Sequence, residues 1–283
     1  MRLTAGQIKY FQDFGFLRFD GLLSDRIDGI VEGFERVWRD YGGGHGGRTH
    51  DQERRSALMP FIDRDEYMST LIDDERIDGI AASILGDDYN YMGSDGNYYV
   101  GDTPWHSDVY IDKKKYMSVK MGFYLDPVDP ETGCLRVIPG SHKVGDIFAE
   151  SLQVAAPNSK SNIIEDTWDI HGSQVPAFAL PVTPGDLLMF THGTKHASFG
   201  GGTRRRMFTI NLQQRHADED LQLIRDDLEG NARFWHEKAY GDMMIETANP
   251  ARMVHLEQRL ANDDHLPELV RKAREEMDEP SRG

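Results

Sequence analysis

His106 and Asp108 stand one residue apart in DTPWHSDVY, residues 102–110. Trp105, Val109 and Tyr110 favour a pleated, half-buried surface. Residues two apart in a strand point to the same face, so the imidazole and the carboxylate look the same way. Burying such a pair bare is costly. A metal ion would satisfy both groups; a neutral His–Asp hydrogen bond or a half-exposed turn is the plainer alternative.

Two histidines and one carboxylate on one face of a divalent ion, with open positions opposite, form the ligand set of non-heme iron(II) oxygenases. A third ligand would have to come from a distant strand. His45 and His50 lie in a Gly-rich region, His142 in the turn PGSHK, and His171 in a long excursion. His216, His236, His255 and His265 fall beyond the strand region, mostly on polar helix faces, and solvated or structural roles suit them all. His192 and His196 remain, both at the end of the apolar run DLLMFTHGTKHAS. Periodicity does not choose between them.

These residues need a framework, and the composition bounds it. The 283 residues are 39% hydrophobic, ample for one core. With 48 acidic against 32 basic residues the net charge is -16, a surface that repels phosphate backbones and argues against nucleic acid. The single cysteine, Cys134, excludes an internal disulfide framework and any multi-cysteine metal site. No apolar run approaches bilayer-spanning length and no signal-peptide core is present. A soluble cytoplasmic protein, monomer or homodimer, with no membrane partner, is the expectation.

The elements follow from pattern. Thr4 and Gln7 have capping-box spacing before a first helix, and Ser24 could cap a second whose apolar residues Ile27, Ile30, Val31, Phe34, Val37 and Trp38 recur at helical period. GGGHGG, residues 42–47, ends that helix. It lacks the Lys-Ser/Thr of a phosphate-binding loop and reads as a mobile loop that could lid a site. A further helix is expected near 74–85. From about residue 88 short β-rich runs take over, bounded by turn signals such as DPVDPETG and TPGD. Short strands without alternating helices predict an antiparallel barrel or jelly roll with flanking helices. Helical character returns after 216, giving an expected domain over 1–216 and a helical extension over 217–283 packed on it.

The chain resembles the phytanoyl-CoA dioxygenase family of Fe(II)- and 2-oxoglutarate-dependent oxygenases. The carrying pieces are WHSD at 105–108, ETGCLRVIPGSHK at 131–143, GDLLMFTHGTKHAS at 185–198 and TRRRMF at 203–208, with FQDFGFLRFDGLLS similar to the family's opening region. The resemblance implies a mainly β, double-stranded β-helix core of the cupin-like jelly-roll type. It implies Fe(II) held by His106, Asp108 and His196, the last selected over His192 by its HAS context. It further implies that an arginine about ten residues on binds the far carboxylate of 2-oxoglutarate. The spacing favours Arg206, with Arg205 facing the other way as the alternative. Ser198 and Thr203 match polar positions that assist the same carboxylate. The loop FGGGT departs from the family pattern, which usually has an Asn and a longer turn, and bears on the arginine register.

The implied reaction is hydroxylation of an unactivated C–H bond with O2, giving succinate and carbon dioxide; the retained Asp108 favours this over halogenation. A run of lysines, Lys113, Lys114, Lys115 and Lys120, with Lys195, suggests a cationic rim recruiting a small anionic substrate, with Tyr110, Lys113 and Trp105 as contact candidates. Tyr98, Tyr99, Trp105 and Tyr110 could instead cage an ammonium group. A tailoring oxygenase acting on a bulky hydrophobic compound and a non-oxygenase metal-binding cupin are the alternative readings.

Overall fold

The first helix forms where its cap is encoded. In the computed structural model, which describes residues 1–51, 53–109, 115–155, 163–202 and 204–282, α1 spans Ala5–Phe14. Gln7 N–H donates to Thr4 Oγ1 at 3.2 Å, and Thr4 N–H donates to the Gln7 amide oxygen at 3.0 Å. Strand β1 (Phe16–Phe19) follows. Helix α2 (Ile27–Tyr41) starts two residues later than a Ser24 cap would place it. Its N-cap is Arg26, without a side-chain cap, because Ser24 closes a turn on Gly21 O. The 42–47 loop, expected to be mobile, is tied at two points. Gly46 N–H donates to Glu279 Oε2 at 2.6 Å, and His45 Nε2 meets Arg55 O at 3.0 Å. After β2 (Ser56–Leu58), α3 (Glu66–Ser69) and α4 (Glu75–Leu85) are capped by Asp65 and Asp74.

The chain then turns to β structure. The strands are β3 (Asn90–Tyr99), β4 (Thr103–His106), β5 (Ser118–Tyr124), β6 (Leu135–Val137), β7 (Phe178–Leu180), β8 (Leu187–Thr191), β9 (His196–Ser198) and β10 (Arg205–Gln213). Two short helices, α5 (Ile147–Ala155) and α6 (Ile163–Trp168), interrupt between β6 and β7. The strands form a six-stranded sheet, β1-β8-β5-β10-β3-β2, and a four-stranded sheet, β4-β9-β6-β7, with antiparallel pairing in both. This is the double-stranded β-helix, a jelly roll with flanking helices.

Period-two alternation assigns each face of the large sheet. Phe208, Ile210 and Leu212 of β10, Val119, Met121 and Phe123 of β5, and Leu187 and Met189 of β8 join the core beneath the helices. Alternate residues, among them Met207, Thr209, Lys120, Tyr124, Leu188 and Phe190, face the space between the sheets. Part of that space is filled by a second cluster that contains Cys134, fully buried as a small apolar side chain.

Helices α7 (Leu221–Glu229), α8 (Asp242–Glu246), α9 (Pro250–Leu260) and α10 (Leu266–Glu276) complete the chain. Ile224, Leu228, Met244, Leu256 and Leu266 share one apolar cluster with the large sheet. Two buried arginines pin them further. Arg252 pairs with Asp73, its Nε 2.9 Å from Oδ1, and Arg259 pairs with Asp227 at 2.8 Å. His255 and His216 are buried rather than solvated: each stacks on a tyrosine, His255 on Tyr89 at 3.9 Å and His216 on Tyr116 at 4.0 Å between ring centroids.

Phe208 sits at the centre of the helix-side core, stacked on Phe123 with ring centroids 4.6 Å apart. Truncating it as Phe208→Ala should lower the unfolding free energy by about 3–5 kcal/mol, measured by urea denaturation. A loss below about 1 kcal/mol would mean that this face of the sheet is not packed as described.

Candidate metal centre and its cavity

The small sheet brings two imidazoles together by strand pairing. β4 runs antiparallel to β9 with His106 directly opposite His196, and the pairing shifts register between Thr103 and His106. The ring centroids lie 4.2 Å apart. His106 is the last residue of its strand, so Asp108 stands in the bend beyond it rather than on the strand as the i, i+2 pattern expects. The backbone sets that bend: Asp108 N–H donates to His192 O at 2.9 Å, and Val109 N–H to the same oxygen at 3.3 Å.

The donor atoms converge. Asp108 Oδ1 is 3.9 Å from His106 Nε2, and Oδ2 is 3.8 Å from His196 Nε2. All three ligand atoms lie within 4.8 Å of one another. Two donors each about 2.1 Å from an ion span at most about 4.2 Å, so the carboxylate–imidazole distances already fit. The tautomers fit as well. His106 Nδ1 meets Pro104 O at 2.8 Å and His196 Nδ1 meets Thr194 O at 2.9 Å. Each Nδ1 therefore carries the proton, and each Nε2 lone pair is directed to the shared point. His192 contributes its carbonyl to the bend while its Nε2 meets Asn211 Oδ1 at 3.1 Å.

Lys120 of β5 closes the arrangement, its Nζ 2.9 Å from Asp108 Oδ2. Burial opposes ionisation of Asp108, but Lys120 and the imidazoles outweigh it and hold the carboxyl well below its usual range. Lys195 is buried, its Nζ 3.1 Å from Ser107 Oγ, and burial pushes its pKa down to about 8.

The centre opens into a cavity of about 620 Å³ between the sheets. Ser198 lines it and donates to Gly133 O at 3.2 Å. Arg205 lines it too. Its Cζ stands 5.0 Å from the centroid of the Tyr99 ring, and its Nε is buried without a hydrogen-bond partner. Two glycines make room for that guanidinium. A Cβ on Gly133 would lie 1.6 Å from Arg205 Nη1, and one on Gly201 would lie 2.2 Å from it.

Several expectations require correction. Arg206 does not reach the cavity. It has the parity of Phe208 and Ile210, so it leaves on the helix side and is consumed there by Asp126 and Glu35, both at 2.7 Å. Trp105 also faces away, buried under the β6–β7 excursion, with its indole N–H donating to Gly172 O at 2.8 Å. Tyr98 points to the helices, its hydroxyl on Glu35 at 2.9 Å. The face of Tyr99 is approached by two guanidiniums, Arg55 at 4.3 Å and Arg205 at 5.0 Å, so the ammonium cage is not assembled. Lys115 lies outside the cavity and pairs with Asp220 at 2.5 Å. Tyr110, Lys113, Lys114 and Thr203 lie outside the described residues.

Fold and donor set together define a jelly roll of the oxygenase type. The profile of the phytanoyl-CoA dioxygenase family (PhyH) matches residues 11–207, and the chain belongs to that family. Solved structures agree in fold. EctD from S. alaskensis, solved with 2-oxoglutarate and 5-hydroxyectoine, is 20% identical, covering 75% of this chain and 76% of its own with a TM-score of 0.55. SnoK, a non-heme alpha ketoglutarate dependent carbocyclase from nogalamycin biosynthesis, is 18% identical over 79% of this chain and 90% of its own, TM-score 0.57. HygX from Streptomyces hygroscopicus, solved with nickel and 2-oxoglutarate, is 16% identical over 76% and 88%, TM-score 0.55. No curated protein sequence matches the chain. Among the described residues, no helix is long and apolar enough to cross a membrane.

The Arg206 contacts make a stability prediction. Burial raises the Asp126 pKa, but hydrogen bonds and charge from Arg206 outweigh that and hold it below its usual value. A depressed carboxylate pKa stabilises the fold above its unfolded value, and the contribution is lost as pH falls through the folded value. Arg206→Gln should cost about 1–2 kcal/mol at pH 7, a modest figure because Glu35 is more than a third exposed. The difference from wild type should fade below about pH 4. Chemical denaturation across pH reads this, and a cost that persists undiminished at pH 2 would refute the assignment.

Proposed function

We propose that this chain is an Fe(II)- and 2-oxoglutarate-dependent dioxygenase that hydroxylates a C–H bond of a small anionic molecule. His106, Asp108 and His196 would hold the iron, and Arg205, with Ser198, would bind the far carboxylate of 2-oxoglutarate. The observation that carries the reading is the convergence of two Nε2 atoms and one carboxylate on the cavity that Arg205 lines without an acidic partner among the described residues.

The donor set suits iron: two imidazoles and one carboxylate, with the remaining directions facing the cavity. Iron bound there, with 2-oxoglutarate and O2, supplies the oxidising chemistry, and succinate and carbon dioxide leave as coproducts. The protein's own part is positional. The carbonyls of Pro104 and Thr194 fix both imidazoles, Lys120 orients Asp108, and Leu188, Phe190 and Met207 give the cavity an apolar wall. A planar guanidinium held against Gly133 and Gly201 suits bidentate binding of a carboxylate. Asp108 supplies a carboxylate where a halogenase would need an open position, which favours oxygen insertion. EctD, solved with 2-oxoglutarate and 5-hydroxyectoine, is consistent with this chemistry.

Metal binding and cosubstrate binding test the reading separately. Anaerobic calorimetry with Co(II) should give one site per chain, lost in His106→Ala, Asp108→Ala and His196→Ala but kept in His192→Ala. With metal present, Arg205→Gln should weaken 2-oxoglutarate binding about ten- to a hundredfold, while Arg206→Gln leaves it within about twofold. Loss in Arg206→Gln instead of Arg205→Gln would overturn the arginine assignment. Absence of succinate from wild-type protein given Fe(II), 2-oxoglutarate and air across a panel of small carboxylates, phosphates and phosphonates would favour the non-oxygenase alternative.

A further inference from the structure

The cavity is more cationic than one cosubstrate requires. In a chain of net charge -16, it is lined by Arg55, Arg205, Arg233 and Lys120 against two carboxylates, Asp95 and Asp108. Lys120 is matched by Asp108. Asp95 accepts hydrogen bonds from Thr209 and Asn97. Among the described residues, none of the three arginines pairs with a carboxylate. Arg205 is assigned to 2-oxoglutarate, which leaves Arg55 and Arg233.

Those two arginines come from remote parts of the chain, and the C-terminal tail joins them. Arg55 precedes the edge strand β2. Its guanidinium donates to Asn97 Oδ1 at 2.8 and 3.1 Å and lies over Tyr99. Arg233 sits in the turn Gly230–Phe234, its Cζ 4.6 Å from the Phe234 centroid, with Phe234 also in the cavity wall. Adjacent tail residues bond to both places. Ser281 N–H donates to Arg233 O at 2.8 Å, and Ala57 N–H donates to Arg282 O at 3.0 Å. Arg233 is exposed, so its charge is held at the mouth rather than buried at a cost. Both arginines are oriented by contacts that leave donors over, Arg55 by an amide and a ring, Arg233 by a ring.

We propose that Arg233 and Arg55 form a second anion site at the cavity mouth, which binds the oxyanion of the substrate — a carboxylate, phosphate, phosphonate or sulfonate — and so presents the rest of that molecule to the metal centre. The inference rests on the functional reading above and extends it. Arg233 lies beyond residues 11–207, the part that defines the family, so the C-terminal extension is a specificity element of this chain. A guanidinium pair favours a small substrate with one terminal oxyanion over an uncharged bulky one.

The test separates the two arginine roles. Binding of inorganic phosphate and methylphosphonate to the full-length protein is measured by calorimetry at constant ionic strength, first in wild type and then in Arg205→Gln, where the cosubstrate's arginine no longer contributes. Arg205→Gln should retain a phosphate site. Adding Arg233→Gln or Arg55→Gln to it should weaken that site about tenfold or more, and Arg233→Lys should restore most of it. Arg233→Gln alone should leave 2-oxoglutarate affinity at its wild-type value, and near-UV circular dichroism should confirm an intact fold for each variant. No phosphate or methylphosphonate binding up to tens of millimolar, or binding that ignores Arg233→Gln, overturns the proposal while leaving the Arg205 assignment intact. Loss of 2-oxoglutarate binding in Arg233→Gln with none in Arg205→Gln would overturn both.

Discussion

The six-stranded sheet has two faces with opposite demands, and the two-residue period of a strand forces every residue to serve one of them. On β10, Phe208, Ile210 and Leu212 go to the helix-side core while Arg205, Met207 and Thr209 go to the cavity. β5 divides likewise into Val119, Met121 and Phe123 on one side and Lys120 and Tyr124 on the other. A one-residue slip would send charged groups into the core, so apolar burial locks the register of the polar face. Two of the ionisable groups on the cavity side are partnered within it, Lys120 by Asp108 and Asp95 by Thr209 and Asn97. Burial of the helices thus fixes the chemistry on the opposite face.

The small sheet applies the same rule locally. One cross-strand pair, His106 opposite His196, brings two proposed ligands together without any long loop. The third is less rigidly encoded: Asp108 lies past the strand end and is set by the His192 carbonyl. This explains why two histidines close the apolar run that ends in β8. His192 organises the bend with its backbone and holds Asn211 with its ring, while His196 faces the shared point.

Much of this was legible in the residues. Short β-rich runs and turn signals gave the jelly roll, and the Thr4–Gln7 cap and the α2 periodicity each read directly. The arginine register misread because spacing was counted from His196 across the loop FGGGT, whose length is not fixed by any period. The parity of Phe208, Ile210 and Leu212, counted backwards along the strand, places Arg206 with the core and Arg205 with the cavity. Trp105 misled for a different reason: it was named for its nearness to His106 in the sequence, whereas adjacent residues of a strand face opposite ways, which sends its indole away from the site. Ser24 failed as a cap because a turn claimed it first. The placement of Arg55 and Arg233 in the cavity wall had no sequence signal, since long-range packing alone brings residues so far apart together.

The C-terminal extension answers a problem that the jelly roll poses. β2 is the outer strand of the large sheet and would present unpaired backbone groups. The tail covers it, accepting from Ala57 N–H through Arg282 O, and the same tail reaches Gly46 through Glu279 and Arg233 through Ser281. Edge protection, the anchoring of the Gly-rich loop and the placement of a cavity-lining arginine are therefore one set of contacts. Selection acting on the stability of the edge would carry the cavity mouth with it, and a relative that covered β2 differently would lose Arg233 from the wall even with every metal-facing residue unchanged. The proposed metal centre and the proposed anion site are in this way separable in the sequence: the first is built between β4 and β9, the second by whatever closes the far edge of the sheet.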